Sequence, residues 1–428
     1  MRYLVLGSSL RGLADATRLA VADGAQVMLF DAERPGAPDD LADRVTVLSP
    51  VWSANVLDNV DRVITSPWFA ETRSPLSEVL AAGIDVITEA GFGLEHLDVP
   101  VVAITGTNGK TTVTEVTTAM LEGSGIAALA AGNIGRPVSA IRQGDAEVLV
   151  LELSSYQLRF LGPFDPSACA ILNLAADHLD WHGSMDAYID AKARIFADAG
   201  PETVLAYNAD DALVSSLASA ASCRTVACSG VSLPLGGNGV RGDEIIIDGC
   251  AFNAAHIDET YRFNLVVAGT LARSLGATNG AVGAVIESFV PGPHRRELVG
   301  IVGGVAFVND SKATNPHATV AAVAAFPSVI LLAGGRNKGL DLQPLANVEP
   351  VKAIVTFGES GRDIAALSTG RAAFAGNLDD AFRVAIEIAE PGDTILLSPG
   401  CASFDEFTSY EERGRYFRDL VSTLDGAA

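Results

Sequence analysis

Val101-Val-Ala-Ile-Thr-Gly-Thr-Asn-Gly-Lys-Thr-Thr-Val113 decides how this chain folds. The apolar, β-branched run predicts a buried strand, the glycines predict a turn, and a helix is expected to begin near Thr111. That is the layout of a phosphate-binding loop. Glycine lets successive backbone N–H groups close around phosphate oxygens, and the helix N-terminus adds a favourable dipole. In such a loop Lys110 reaches the terminal phosphates and the Thr111 hydroxyl is a ligand for Mg²⁺. A plain strand–turn–helix with a chance Gly-Lys pair explains less, because both glycines, the lysine, the hydroxyl and the flanking elements stand in order. The common pattern has a further glycine where this chain has Ile104, so the loop is the compact Gly106-x-x-Gly109-Lys110-Thr111 form. Use of ATP is expected.

Outward from the loop, short strands alternate with helical stretches on both sides, which predicts α/β domains built on parallel sheets. Three are expected: a Rossmann-like domain over 1–98, a central phosphate-loop domain over 99–290 and a second Rossmann-like domain over 291–428. The first has strands at Tyr3–Leu6, Gln26–Phe30, Val45–Leu48, Arg62–Thr65 and Asp85–Thr88. Val148–Leu153, Ala168–Asn173 and Val204–Tyr207 follow in the second. Val305–Val308, Val329–Leu332, Ala353–Phe357 and Thr394–Leu397 belong to the third. Val290-Pro-Gly-Pro293 is a stiff segment suited to a hinge, and the Gly-rich stretch 236–242 reads as a surface loop.

A chain of 428 residues with 49% apolar content is large enough for several cores. Its net charge of −23 argues against a nucleic-acid-binding surface, which needs clustered Lys and Arg. The first apolar run, Tyr3–Gly7, is too short for a signal peptide, and no long apolar run predicts a membrane span. The five cysteines are scattered, which suggests neither a disulfide framework nor a zinc site. A soluble cytoplasmic protein, acting as a monomer on small molecules, is expected.

Several polar groups fall at strand ends, where α/β proteins build their sites. Gly7-Ser8-Ser9-Leu10-Arg11-Gly12 is a degraded G-x-G-x-x-G, with Ser9 at the middle glycine. Asp31 ends the second strand, at the position of a ribose-binding acid, yet a tight turn without a ligand explains the segment equally well. Glu152 leaves a buried strand beside the phosphate loop, well placed to hold Mg²⁺. Asp177-His178-Leu-Asp180-Trp-His182 concentrates ionisable groups, with His178 the better candidate for metal or substrate contact. Lys192, taken by pattern alone, is a surface lysine on an amphipathic helix. Asp310-Ser-Lys-Ala-Thr-Asn-Pro316, Gly334-Gly-Arg-Asn-Lys-Gly339 and Ser398-Pro-Gly-Cys-Ala-Ser-Phe-Asp-Glu-Phe407 are three polar loops after strands of one domain, which suggests one shared cleft.

Together these residues resemble the Mur ligase family, the ATP-dependent amino-acid ligases of peptidoglycan synthesis. The matching motifs are Gly106–Thr112, Gly132-Asn-Ile-Gly135, Glu152–Gln157, Asp177-His178 with Trp181-His182-Gly183, Lys192-Ala-Arg194, Pro293–Glu297, Asp310–Asn315, Gly334-Gly335 with Lys338, and Ser398-Pro399 through Asp405. The resemblance implies that Gly106, Thr107, Asn108, Gly109, Lys110, Thr111 and Thr112 bind ATP, with Asn264, Arg295 and Asp310 completing its site. It implies that Thr111, Glu152 and His178 hold two Mg²⁺ ions, aided by Lys192 as a carbamylated lysine. Ser9, Leu10, Asp31, Ser66 and Asn133 are then expected at the UDP-sugar. His178, Thr314, Lys338, Ser403, Phe404 and Tyr410 surround glutamate, with Lys312 beside the acyl phosphate. Two departures stand out: Trp68 replaces the glycine of a Ser-Pro-Gly turn, and Val267 replaces the second asparagine of a His-Asn-x-x-Asn segment. The implied activity is ATP-dependent ligation of D-glutamate to UDP-N-acetylmuramoyl-L-alanine through an acyl phosphate. Its rivals are the same chemistry with L-glutamate, a related ligase such as folylpolyglutamate synthase, and a non-catalytic ATP-binding regulator.

Overall fold

The computed structural model describes residues 1–7, 12–368, 370 and 372–425; Ser9 and Leu10 lie outside the described residues. The chain divides into two compact units, one of residues 1–174 and 181–289, the other of residues 175–180 and 290–428.

The first unit holds two parallel sheets. Strands β1 (Arg2–Leu6), β2 (Gln26–Phe30), β3 (Val45–Val47), β4 (Arg62–Thr65) and β5 (Asp85–Thr88) are ordered β3-β2-β1-β4-β5. Strands β6 (Val101–Thr105), β7 (Ala128–Gly132), β8 (Val148–Glu152), β9 (Ala168–Ile171), β10 (Val204–Asn208) and β11 (Arg224–Cys228) are ordered β11-β10-β9-β6-β8-β7. Alternation explains why β6 reads as an unbroken apolar run. Val102 and Ile104 enter one core, Val101 and Ala103 enter another on the opposite face, and no residue of the strand meets water. The chain crosses from β8 to β9, on the two sides of β6, so the loop after β6 sits at the switch point where open α/β sheets bind ligands.

The stretch 236–242, expected as a loop, contributes an edge strand. β12 (Gly239–Arg241), β13 (Glu244–Ile247) and β14 (Cys250–Asn253) form a small antiparallel sheet. Asn238 drives this. It is buried, donates through Nδ2 to Thr270 Oγ1 at 2.8 Å and accepts the Asp248 N–H at 2.9 Å, so the glycine-rich chain is pinned rather than solvated.

In the second unit β15 (Glu297–Val302), β16 (Val305–Asn309), β17 (Val329–Gly334), β18 (Ala353–Phe357), β19 (Ala372–Gly376) and β20 (Thr394–Gly400) are ordered β15-β16-β20-β17-β18-β19, with only β15 antiparallel. Its helices follow ordinary rules. Asn377 accepts the Asp380 N–H to cap helix Leu378–Ile388, which buries Leu378, Ala381, Phe382 and Ala385 along one stripe. All five cysteines are free thiols, and among the described residues no helix is long and apolar enough to cross a membrane.

Gly334 ends β17 with φ +148°, and a Cβ there would sit 1.9 Å from the Phe357 carbonyl oxygen of the neighbouring strand. Gly334→Ala is expected to destabilise the protein by about 2 kcal/mol or more, read as a lowered urea midpoint in circular dichroism.

Candidate active site

Thr105 ends β6, and the turn that follows is closed from several sides. Thr107 N–H donates to the Asn173 carbonyl at 2.9 Å, Asn108 N–H donates to Asn173 Oδ1 at 2.8 Å, and Asn173 Nδ2 donates back to the Asn108 carbonyl at 3.1 Å. Gly109 takes φ +87° and caps helix Lys110–Glu122, one residue before the expected start. A side chain at Gly109 would strike Asn264 Oδ1 at 2.8 Å, so glycine here is what lets the amide of Asn264 lie against the loop. Asn264 itself sits on helix Glu259–Ser274, which is buried almost throughout from Tyr261 to Ala272.

Lys110 Nζ donates to the carbonyls of Gly106 at 2.8 Å and Thr107 at 3.0 Å. Lys192 reaches the same place. It is 1% exposed, donates to the Gly106 carbonyl at 2.8 Å and to Thr105 Oγ1 at 3.3 Å, and lies 4.7 Å from the centre of the Tyr188 ring. The surface lysine read from pattern is therefore corrected to a buried one. Tyr188, its neighbour four residues earlier on the same helix, is also buried and meets Thr107 Oγ1 at 3.0 Å, so this helix turns its polar side toward the loop. Glu152 follows from the sheet. It pairs with Ile104 across β8 and β6, accepts Asn133 Nδ2 at 2.7 Å on Oε1, and keeps Oε2 buried with no hydrogen-bond partner in the protein. Thus Lys110, Glu152, Asn133, Lys192 and Asn264 gather around one loop.

A cavity of about 270 Å³ in the same unit is lined by Ser66, Pro67, Trp68, Glu89, Gly132 and Asn133, among others. Burial pushes the Glu89 carboxyl above its usual range, opposed by hydrogen bonds from the Ser139 hydroxyl and backbone N–H, both at 2.7 Å. Ser66 and Asn133, both expected at the UDP-sugar, line this one cavity. Asp31 does not line it; its Oδ1 instead accepts the N–H groups of Glu33 and Arg34 and holds its own turn.

In the second unit the three polar loops follow β16, β17 and β20, which are neighbours in the sheet. Asp310 is buried, accepts the Ser398 hydroxyl at 2.8 Å and the Arg296 N–H at 3.1 Å, and has Arg295 nearby. Lys312 Nζ lies 5.1 Å from the centre of the Tyr410 ring. Ser403 is buried, Phe404 is exposed, and Thr314 is half-buried just before helix Pro316–Val323. Lys338 Nζ donates to Asp177 Oδ1 at 3.1 Å. His178, with φ +55°, belongs to the segment 175–180 that packs into this unit.

Against known proteins, residues 104–245 match the Mur ligase middle domain and residues 294–401 match the Mur ligase glutamate ligase domain. A UDP-N-acetylmuramoylalanine–D-glutamate ligase of Shouchella clausii is 38% identical over 442 residues, covering 99% of this chain and 97% of the relative. One from Myxococcus xanthus is 37% identical over 448 residues, covering 99% and 98%. The chain belongs to the Mur ligase family. Its fold is that of solved family members: the MurF ligase of Thermotoga maritima in complex with ADP superposes with a TM-score of 0.60 at 16% identity, covering 100% of this chain and 99% of the other.

One residue of this Mur ligase escaped the sequence reading. Arg413, on helix Tyr410–Asp425, is fully buried. Its Nε donates to Ser311 Oγ at 3.0 Å, and its Nη atoms donate to the carbonyls of Ser311 and Cys401 at 2.9 to 3.3 Å, tying the loop after β16 to the loop after β20. Burial pulls its pKa down to about 10, so it stays charged at neutral pH. No sequence signal marked it, because Glu-Glu-Arg-Gly-Arg reads as a solvated helix face.

Burial pushes the Asp310 carboxyl up to about 7, against lowering by the Ser398 hydrogen bond and the nearby arginines. The folded state thus holds the proton more tightly than the unfolded one. Asp310 stabilises the fold fully below its ordinary value of 3.8, and that contribution is lost as pH rises toward 7. Asp310→Asn removes the dependence. The stability of the native chain relative to this variant is expected to fall by up to about 4 kcal/mol between pH 4 and pH 8 in urea titrations of the ligand-free protein. A constant or growing difference contradicts a carboxyl protonated by burial.

Proposed function

We propose that this chain joins the carboxylate of UDP-N-acetylmuramoyl-L-alanine to the amine of D-glutamate, driven by ATP, for peptidoglycan precursor synthesis. The observation that carries the reading is the gathering of Lys110, Lys192 and the orphaned Glu152 oxygen on a phosphate loop, in a chain whose full-length relatives bear the name of this ligase.

The chemistry follows from the substrates. An acceptor carboxylate oxygen attacks the γ-phosphorus of ATP, the bond to the bridging oxygen breaks, and ADP leaves. The glutamate amine, arriving neutral, then attacks the acyl carbon; the C–O bond to phosphate breaks and the amine loses a proton. The backbone of Gly106, Thr107, Asn108 and Gly109 cradles the phosphates, with Lys110 and Thr112 beside them and Asn264 at the nucleotide. Arg295 and Asp310 complete the ATP contact. Ser66 and Asn133 hold the UDP-sugar. Thr314, Lys338, Ser403, Phe404 and Tyr410 hold the glutamate, with His178, and Lys312 serves the acyl phosphate.

A buried carboxylate oxygen without a partner is costly unless a ligand completes it, so Glu152 fits a cation. Among the described residues no group of three His, Cys, Asp or Glu side chains gathers as a metal cage. That suits Mg²⁺, which takes one or two protein oxygens and fills its shell from phosphates and water. Thr111, Glu152 and His178 would hold two such ions, which when bound neutralise charge on the moving phosphoryl group. Lys192 is buried beside the loop, and an amine there, in its neutral form, would add to CO₂ to give a carbamate with loss of one proton. We place the domain limits at 1–98, 99–290 and 291–428, and read the protein as a cytoplasmic monomer.

ADP release with UDP-N-acetylmuramoyl-L-alanine, offered D-glutamate and L-glutamate separately, tests the function. Turnover with D-glutamate alone is expected; turnover with L-glutamate alone keeps the mechanism and changes the substrate, and silence with both rejects the reading. Lys192→Ala is expected to lose at least about 100-fold in kcat, with no recovery in high bicarbonate. Full activity of that variant removes the carbamate.

A further inference from the structure

The cavity beside Asn133 has Trp68 at its rim, a residue given no part in the ligase chemistry above. Ser66–Phe69 is a β-turn, closed by the Phe69 N–H donating to the Ser66 carbonyl at 3.2 Å, with Pro67 and Trp68 at its centre. Pro67 is held from outside: its carbonyl accepts Trp181 Nε1 at 3.0 Å, and Trp181 is buried edge-on against Tyr156 and His182. The turn therefore rests on a fixed aromatic block. Trp68 lines the cavity yet stays 75% exposed. A free indole at the mouth of a pocket is a large amphipathic face that a ligand entering the pocket can cover. Beside it Ser66, 6% exposed, is another residue of the cavity lining, and its buried hydroxyl has no hydrogen-bond partner in the protein.

We infer that Trp68 and Ser66 form a sugar clamp, the indole covering the pyranose of the sugar nucleotide while the Ser66 hydroxyl bonds one of its oxygens. The inference rests on the substrate class proposed above. The order of groups in that substrate fixes the choice of the sugar. The reacting carboxylate belongs at the Asn133 end, because Asn133 bonds Glu152 at the phosphate loop. Next along the molecule comes the sugar, and the nucleotide lies furthest away. A pyranose presents C–H bonds on one face, which the negative π face of an indole attracts, and hydroxyls on its edge, which suit Ser66.

Calorimetric titration of UDP-N-acetylmuramoyl-L-alanine and of UDP into the native chain, Trp68→Ala and Trp68→Phe tests this, together with steady-state kinetics. Trp68→Ala is expected to raise Kd and KM for the sugar nucleotide roughly tenfold, with Trp68→Phe between it and the native chain. The Kd for UDP, the KM for ATP and glutamate, kcat and the melting temperature are expected to hold within about twofold or a degree, as for an exposed side chain. Unchanged sugar-nucleotide affinity in Trp68→Ala overturns the clamp while leaving the function intact. Equal weakening of UDP also overturns it, by moving the indole to the nucleotide. Failure of the native chain to bind the sugar nucleotide overturns the clamp and the function together.

Discussion

Two lysine side chains share one carbonyl oxygen. Lys110 and Lys192 both donate to the Gly106 carbonyl at 2.8 Å, one from the helix that starts at the loop and the other from helix Met185–Ala193. Their nitrogens are therefore within about 6 Å of each other, so two amines converge on one turn of the chain. Packing sustains this convergence of donors beside the loop. The loop glycines, the Asn173 clamp and the burial of Lys192 all serve to hold this arrangement open to a phosphate. The nearby Glu152 adds a buried carboxylate oxygen with no hydrogen-bond partner in the protein, so amines and a carboxylate lie close together at one loop.

The fold makes this possible by burying both faces of its parallel sheets. Val101 to Ala103 alternate between two cores, and Val329 to Leu332 do the same in the second unit. Strands so anchored cannot slip by one residue without turning every side chain to the wrong core. The loops at their C-terminal ends inherit that precision: Glu152 and Gly106 from β8 and β6, Asp310, Lys338 and Ser403 after β16, β17 and β20. Arg413 adds a cross-tie between two of these loops, and being buried without a carboxylate bonded to it, it acts by directing its donors at carbonyls rather than through an ion pair.

Much of this was legible in the chain. The first-sheet strands match their expected limits to within a residue, because short apolar runs between turn residues have few alternative readings. The phosphate loop was legible because its glycines, lysine and hydroxyl are close in sequence. Lys192 and Arg413 were not, since each lies on a helix rich in charge, and helical periodicity says which residues share a face without saying what covers that face. Lys192 is buried because Tyr188 and the loop close over it, contacts separated by more than eighty residues. The strand at Gly239–Arg241 was missed for a related reason: local glycine content suggested a loop, and the buried amide of Asn238 overrode it. Asp31 left two readings open in the sequence, and one of its oxygens accepts the N–H groups of its own turn.

Orphaned polar atoms need a second criterion before they mark a ligand. Thr114 and Thr117 hydroxyls are as buried and unpartnered as Glu152 Oε2 and Ser66 Oγ. Both threonines sit mid-helix on Lys110–Glu122, packed among apolar side chains, where a missing hydrogen bond is a modest cost absorbed by the core. Glu152 and Ser66 instead stand at or just past the C-terminal ends of parallel strands, and Ser66 opens on a cavity. Strand ends are where open α/β sheets bind ligands, and a helix interior packed into a core is not. The distinction turns on place in the fold rather than on the missing bond. It separates the four buried side-chain oxygens that lack a hydrogen-bond partner among the described residues into two inside a helix core and two at strand ends.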